Sequence, residues 1–202
     1  MSLSSKVGLF GGTFNPVHNA HLKVAQKSIE QIGLDRVIMV PSKNPPHKTT
    51  RGIPDADTRY KMVELAIQGE ENLEVSRVEI ERDGPSYTID TIIEMKKVYD
   101  DLVFIVGADN LVKIETWKEP EKLLKSCPFV IAPRGGYKKA DFDDKIFDGK
   151  DLRFLDMDEI SISSTKIRER IMDGESINSM VPSAVVDYIL SKGLYQAVPG
   201  GV

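Results

Sequence analysis

An α/β fold with a doubly wound parallel sheet is what three observations in this 202-residue sequence predict. Short apolar runs of strand length recur along the chain, roughly six of them. Stretches with apolar residues at helical spacing separate them, which implies parallel pairing through right-handed crossovers. Small-residue loops follow the apolar runs, and ligands bind at that end of the strands in open α/β sheets. No internal repeat, low-complexity segment or interdomain linker interrupts the pattern. One domain is expected over residues 1–202, with a C-terminal helical part at about 163–195.

Residues 7–10 read as the first strand, stopping at Gly11-Gly12, a signal for a tight turn or a close approach by something bulky. Thr13, Asn15 and Pro16 continue a polar turn. His18 and His21 follow, ahead of Leu22, Ala25, Ile29 and Ile32 at helical spacing. Two imidazoles therefore stand at a helix entrance, where unpaired N–H groups and the positive end of the dipole favour phosphate. A metal pair is disfavoured, because no cysteine or third histidine lies near in sequence. A satisfied helix cap is the usual reading of a lone histidine. It is weaker here, since all three histidines fall in the first quarter of the chain.

Gly33 suits a helix C-cap, and residues 36–40 form a second strand ended by Pro41. Pro45 and Pro46 stiffen the next loop, with His47 and Lys48 behind them, and Lys43 to Gly52 is a candidate moving segment. Residues 55–67 read as a helix capped by Asp55 or Asp57, with Met62, Val63, Ala66 and Ile67 inward and Arg59 and Lys61 facing solvent. Residues 73–80 alternate like a strand, and a turn covers 81–86. Ser86 or Thr88 then caps a helix whose stripe is Ile89, Ile92 and Ile93. The most strand-like run, 102–106, opens into Gly107-Ala108-Asp109-Asn110, where Asp109 either accepts from ribose hydroxyls or caps a helix. Trp117 reads as core packing or as a stacking surface for an aromatic ligand.

Pro120 opens a helix ending before Pro128, and residues 129–132 form a strand leading to Arg134 beside two glycines. Residues 137–150 are charged and aperiodic, as in a surface insertion or mobile loop. Residues 152–155 are the last strand. Ser163 or Ser164 then caps a helix with Arg168 one turn in, so hydroxyls, amides and a guanidinium converge as a phosphate clamp. Residues 182–190 are a final helix ended by Gly193, and 194–202 are a tail, loose at its last residues.

Apolar content of 41% with 29% charged residues fits a globular protein with a sizeable core. A net charge of −4 argues against broad nucleic-acid binding, while leaving room for a small polyanion in a local pocket. The single cysteine, Cys127, excludes an internal disulfide framework, reads as a buried structural thiol and fits a reducing cytoplasm. No apolar stretch approaches the ~18 residues of a membrane span, and no signal peptide is expected.

The string GGTFNPVHNAH resembles the GxFxPxHxGH signature of the nucleotidyltransferase superfamily, at Gly12, Phe14, Pro16, His18 and His21. Ala20 replaces the usual Gly, and Asn15 stands where Asp is common. ISSTKIR at residues 162–168 resembles the second signature. PPHK, GPSYTIDT and GADNL with its downstream Trp117 are similar to segments of nicotinate-nucleotide adenylyltransferases. The resemblance runs from residue 7 to about 195. It implies a Rossmann-like fold of nucleotidyltransferase type. It also implies transfer of the adenylyl group of ATP to nicotinate mononucleotide, giving nicotinate adenine dinucleotide and pyrophosphate in NAD biosynthesis.

By the same resemblance His18, His21 and Arg168 are the catalytic residues. Gly11, Gly12, Thr13, Phe14, Asp109 and Arg134 join them around ATP, with Ile162, Ser163, Ser164 and Thr165 from the second signature. Asn15, His47, Lys48, Tyr87, Thr88, Asp109 and Trp117 fall to the mononucleotide, the amides of Tyr87 and Thr88 to its carboxylate. Mg²⁺ is expected to arrive on the ATP phosphates, since no carboxylate cage is visible. The partners are ATP and the mononucleotide, without nucleic acid or membrane, and a homo-oligomer is left open. Other readings are a nicotinamide or phosphopantetheine acceptor, or a non-catalytic nucleotide-binding module. A Rossmann dehydrogenase is disfavoured, because the first loop is not G-x-G-x-x-G and the second strand ends without an acidic residue.

Overall fold

In the computed structural model, residues 5–45, 53–142 and 144–196 are described. Six parallel strands form one sheet in the order β3-β2-β1-β4-β5-β6. They are β1 (Lys6–Gly12), β2 (Arg36–Pro41), β3 (Leu73–Val75), β4 (Asp101–Gly107), β5 (Phe129–Ala132) and β6 (Leu152–Phe154). The order reverses between β1 and β4, so a crevice opens there at the carboxyl ends of the strands. The helices are α1 (Asn19–Ile32), α2 (Ala56–Ala66), α3 (Val78–Glu81), α4 (Thr88–Met95), α5 (Ala108–Leu111), α6 (Pro120–Ser126), α7 (Ser164–Met172) and α8 (Ser183–Ser191).

Helices on both faces leave the central strands no polar side, which is why β4 and β5 are apolar without alternation. One core, with Val103, Ile105 and Val130, packs under α1, α2, α7 and α8. The other, with Leu9, Phe104 and Phe129, packs under α4, α5 and α6. Each fully buried large side chain contributes roughly 1.5–3 kcal/mol. Gly33 ends α1 at φ 68, as its type suggests. At Gly8 a Cβ would fall 2.8 Å from Leu34 and 2.9 Å from Ile105, so that glycine is required by packing.

Several expectations are corrected. β1 runs through Gly11 and Gly12 rather than stopping before them. The alternating stretch 73–80 gives only three strand residues. After Ser76 N–H donates to Met39 O, the chain leaves the sheet edge and turns into α3, burying Glu79 and Ile80. The N-cap of α4 is Tyr87, not Ser86 or Thr88, and Asp109 lies in the first turn of α5 behind the Gly107 cap. Residues 137–150 are not a bare insertion: Phe142 and Phe147 are buried, with rings 5.4 Å apart, and Phe142 meets Phe154 at 5.5 Å. Leu194 and Tyr195 of the expected tail pack against the first core. Arg59, expected in solvent, is 2% exposed.

Candidate active site

The first loop begins where β1 ends. Phe14 takes a left-handed backbone at φ 47, and a Cβ at Gly12 would meet its ring at 3.0 Å. The glycine thus makes room for a side chain of the same loop. His18 is the N-cap of α1 and His21 its third residue. Their rings stack at 3.6 Å between centroids. His18 N–H donates to His21 Nδ1 at 3.2 Å, so the neutral His21 ring carries its proton on Nε2. His18 is fully buried behind its neighbour, and neither ring nitrogen has a hydrogen-bond partner among the described residues. Burial, with the Arg134 charge second, lowers its pKa to about 3. A buried, unsatisfied imidazole costs roughly 1–3 kcal/mol.

The second signature closes on that loop. Ser163 Oγ caps α7 by accepting from Lys166 N–H at 3.2 Å. Ser164 Oγ donates to Pro16 O at 2.9 Å, and Arg168 donates to Asn15 O at 2.8 Å and to Thr165 Oγ1 at 3.3 Å. The expected phosphate clamp is therefore also a clasp between the first loop and α7, more than 140 residues apart. Tyr195 donates to Asn15 Oδ1 from the C-terminal side.

On the other side of the crevice, Ser86, Tyr87, Thr88, Trp117 and Lys118 help enclose a cavity of about 80 Å³. Trp117 is half-buried, edge-on to Phe104 at 6.4 Å between centroids, so it is partly core and partly open surface. Lys118 pairs with Asp90 at 2.9 Å and lies 4.8 Å from the centre of the Tyr87 ring. Tyr87 N–H is engaged by Pro85 O at 3.0 Å, whereas the Thr88 amide, at the first position of α4, has no intrahelical acceptor. Ser86 Oγ accepts from the amides of Lys43 and Asn44 at 3.0 and 3.1 Å. Glu79, 7% exposed, receives the Thr91 hydroxyl at 2.6 Å; burial pushes its carboxyl up against hydrogen bonds from Thr91 and Ser86.

Asp109 and Arg134 pair across the β4 and β5 loops at 3.3 Å. A Cβ at Gly107 would fall 2.6 Å from Asp109 Oδ1, so a larger residue there would displace the Asp109 carboxylate. Glu159 accepts from the amides of Gly135 and Gly136 at 2.8 and 3.0 Å, which fixes the Arg134 loop and lowers the Glu159 pKa.

Most of the loops that carry these groups open on one cleft of about 1100 Å³. That is at the upper end of the roughly 300–1,000 Å³ usual for ligand clefts. The cleft gathers Gly11 to Asn15, His18, His21, Thr88, Asp109, Trp117, Arg134, Ile162 to Thr165 and Arg168. Tyr87 lies at the adjoining cavity. His47 and Lys48 fall outside the described residues, as do residues 46–52 of the candidate moving segment. Among the described residues no three His, Cys, Asp or Glu side chains group as a metal site, and no helix is long and apolar enough to cross a membrane.

Arg59 is the residue that sequence reading missed. Its guanidinium donates to Thr13 O at 2.7 Å, Ser42 O at 2.6 Å and Pro54 O at 3.0 Å, joining the β1 and β2 loops under the cleft. The signal was present: residue 59 precedes Met62, Val63 and Ala66 by three, four and seven, the spacing of the buried stripe. Cys127 is buried, its thiol pushed up to about 11 by burial, as befits a structural residue.

A parallel sheet with a phosphate-type loop after its first strand and a basic capped helix folded over it defines a nucleotidyltransferase. The family model described as Cytidylyltransferase-like matches residues 9–170. A Clostridium tetani protein named "Probable nicotinate-nucleotide adenylyltransferase" is 39% identical, the match covering 95% of this chain and 99% of the relative. Its counterpart in Clostridium novyi is 42% identical over 95% and 99%. The solved Plasmodium falciparum nicotinic acid mononucleotide adenylyltransferase complexed with NaAD shares the fold, with TM-score 0.78 and 22% identity over 95% of this chain and 97% of that one. This chain belongs to the nicotinate-nucleotide adenylyltransferase family.

Proposed function

We propose that the cleft joins ATP and nicotinate mononucleotide by direct in-line transfer. A 5′-phosphate oxygen of the mononucleotide attacks the α-phosphorus of ATP. The new P–O bond forms as the bond from that phosphorus to the α,β-bridging oxygen breaks, and pyrophosphate leaves with the electron pair. The attacking oxygen is already anionic at neutral pH, so no general base is required. The protein's part is positioning and neutralisation of developing charge. His21 supplies an Nε2–H donor, Arg168 its remaining guanidinium donors, and the start of α7 its unpaired amides. Asp109 is assigned to ribose, Trp117 to the pyridine ring and the α4 start to the carboxylate. Mg²⁺ bound to the ATP phosphates would add to that neutralisation of charge.

The observation that carries this reading is the meeting of both signatures in one cleft, with Arg168 2.8 Å from Asn15 O. The solved Plasmodium relative is complexed with NaAD, the dinucleotide this reaction would form, which supports the reading. The free, buried Cys127 fits a reducing cytoplasm. The test is pyrophosphate release from ATP and Mg²⁺ with nicotinate mononucleotide, nicotinamide mononucleotide or phosphopantetheine in parallel. Release with the nicotinate nucleotide alone is expected. Equal release with the amide removes the carboxylate assignment. ATP binding without release from any acceptor favours a binding module.

A further inference from the structure

The C-terminal segment reaches into the first loop. After α8 the chain turns at Gly193, and Leu194 and Tyr195 pack onto the first core, with Tyr195 in a left-handed backbone at φ 63. The Tyr195 hydroxyl donates to Asn15 Oδ1 at 2.8 Å, across 180 residues of sequence. Burial holds the phenol well above its ordinary pKa, so the group remains a donor over the working pH range. Asn15 is 7% exposed and lines the cleft between the glycine turn and His18. Its main-chain carbonyl is taken by Arg168 and its side-chain oxygen by Tyr195. An amide has one acceptor oxygen and one donor nitrogen, so engaging the oxygen fixes which way the group is turned. Nδ2 has no acceptor among the described residues.

We propose that Tyr195 is a positioning residue for the mononucleotide: it holds the Asn15 carboxamide so that Nδ2–H donates to an oxygen acceptor on that substrate. Tyr195 itself touches neither substrate. The inference rests on the assignment of this cleft to ATP and nicotinate mononucleotide, and it names a residue outside both signatures.

The experiment is a double-mutant cycle of Tyr195→Phe and Asn15→Ala, measuring KM for each substrate, kcat and the unfolding midpoint. Wild-type turnover comes first; its absence overturns the parent reading and the inference together. With turnover present, Tyr195→Phe, which keeps the ring and removes one hydroxyl, is expected to raise KM for the mononucleotide about tenfold, the value of one hydrogen bond. KM for ATP stays near wild type, and the unfolding midpoint falls by no more than the loss of one buried hydrogen bond accounts for. Asn15→Ala has an effect of similar size, and Tyr195→Phe adds nothing in its presence. Unchanged kinetics in Tyr195→Phe, effects that multiply in the double variant, or a shift that falls on ATP instead would each overturn the inference. A lowered midpoint with both KM values raised equally would assign Tyr195 to structure alone.

Discussion

His18 keeps an uncharged imidazole in the middle of a site meant for polyanions. Its folded pKa, about 3, lies below the ordinary 6.5. Between those values the unfolded chain binds a proton that the native protein does not, so stability rises with pH from about 3 to 6.5 and is flat above. Chemical denaturation across that range should show the slope, and His18→Gln should reduce it; an equal slope in the variant would remove His18 as its cause. Glu159, lowered by the Gly135 and Gly136 amides, acts in the same direction as pH falls through the carboxylate range. His21 stands in front, with Nε2–H as its donor. His21→Ala should lose on the order of 10²-fold in turnover, by analogy with removing one oxyanion donor. Near-normal turnover in a folded variant would end that assignment. The pair was legible from spacing alone, because residues three apart share one side of a helix. Which ring is covered and which is presented was not, because it depends on how Phe10 and Phe14 pack against His21.

Elements position these residues through main-chain atoms more than through side-chain pairs. Arg59 of α2 binds carbonyls of three separate segments. Arg59→Ala leaves them unsatisfied under the cleft and should cost about 3 kcal/mol in denaturant titration, with KM for both substrates raised. Ser86 does the same between the β2 loop and the start of α4. Ser86→Ala should raise KM for the mononucleotide several-fold with kcat little changed, and parallel loss in kcat would point instead to the phosphate side. The strands that were read well, β1, β2, β4 and β5, are those buried on two faces, where an apolar run has little alternative. The stretch 73–80 was misread because period two is also satisfied by a short edge strand followed by one helical turn. Residues 137–150 looked aperiodic because two isolated phenylalanines, not a repeating stripe, anchor them.

At the scale of the whole molecule, the sheet order follows from the βαβ pattern, but the closing contacts do not. α7 and α8 cover a core that β1, β2 and α2 begin, through Ile167, Val181, Val185 and Ile189. Deleting residues 183–202 exposes that surface and should replace one cooperative calorimetric transition by a broad, weak one. A sharp transition in the shortened chain would show that the first core closes without α8. The first loop is tied to the far end of the sequence five times over. Asn15 is held by Arg168 and Tyr195, Pro16 by Ser164, and Asn19 by Ser179 and Met180. During synthesis, the histidine loop leaves the ribosome well before its partners at 164–195 and waits for them. A nascent or truncated chain can therefore hold most of the sheet and still lack an assembled site, so that competence to turn over nucleotides arrives only when residues 164–195 have been made and folded back.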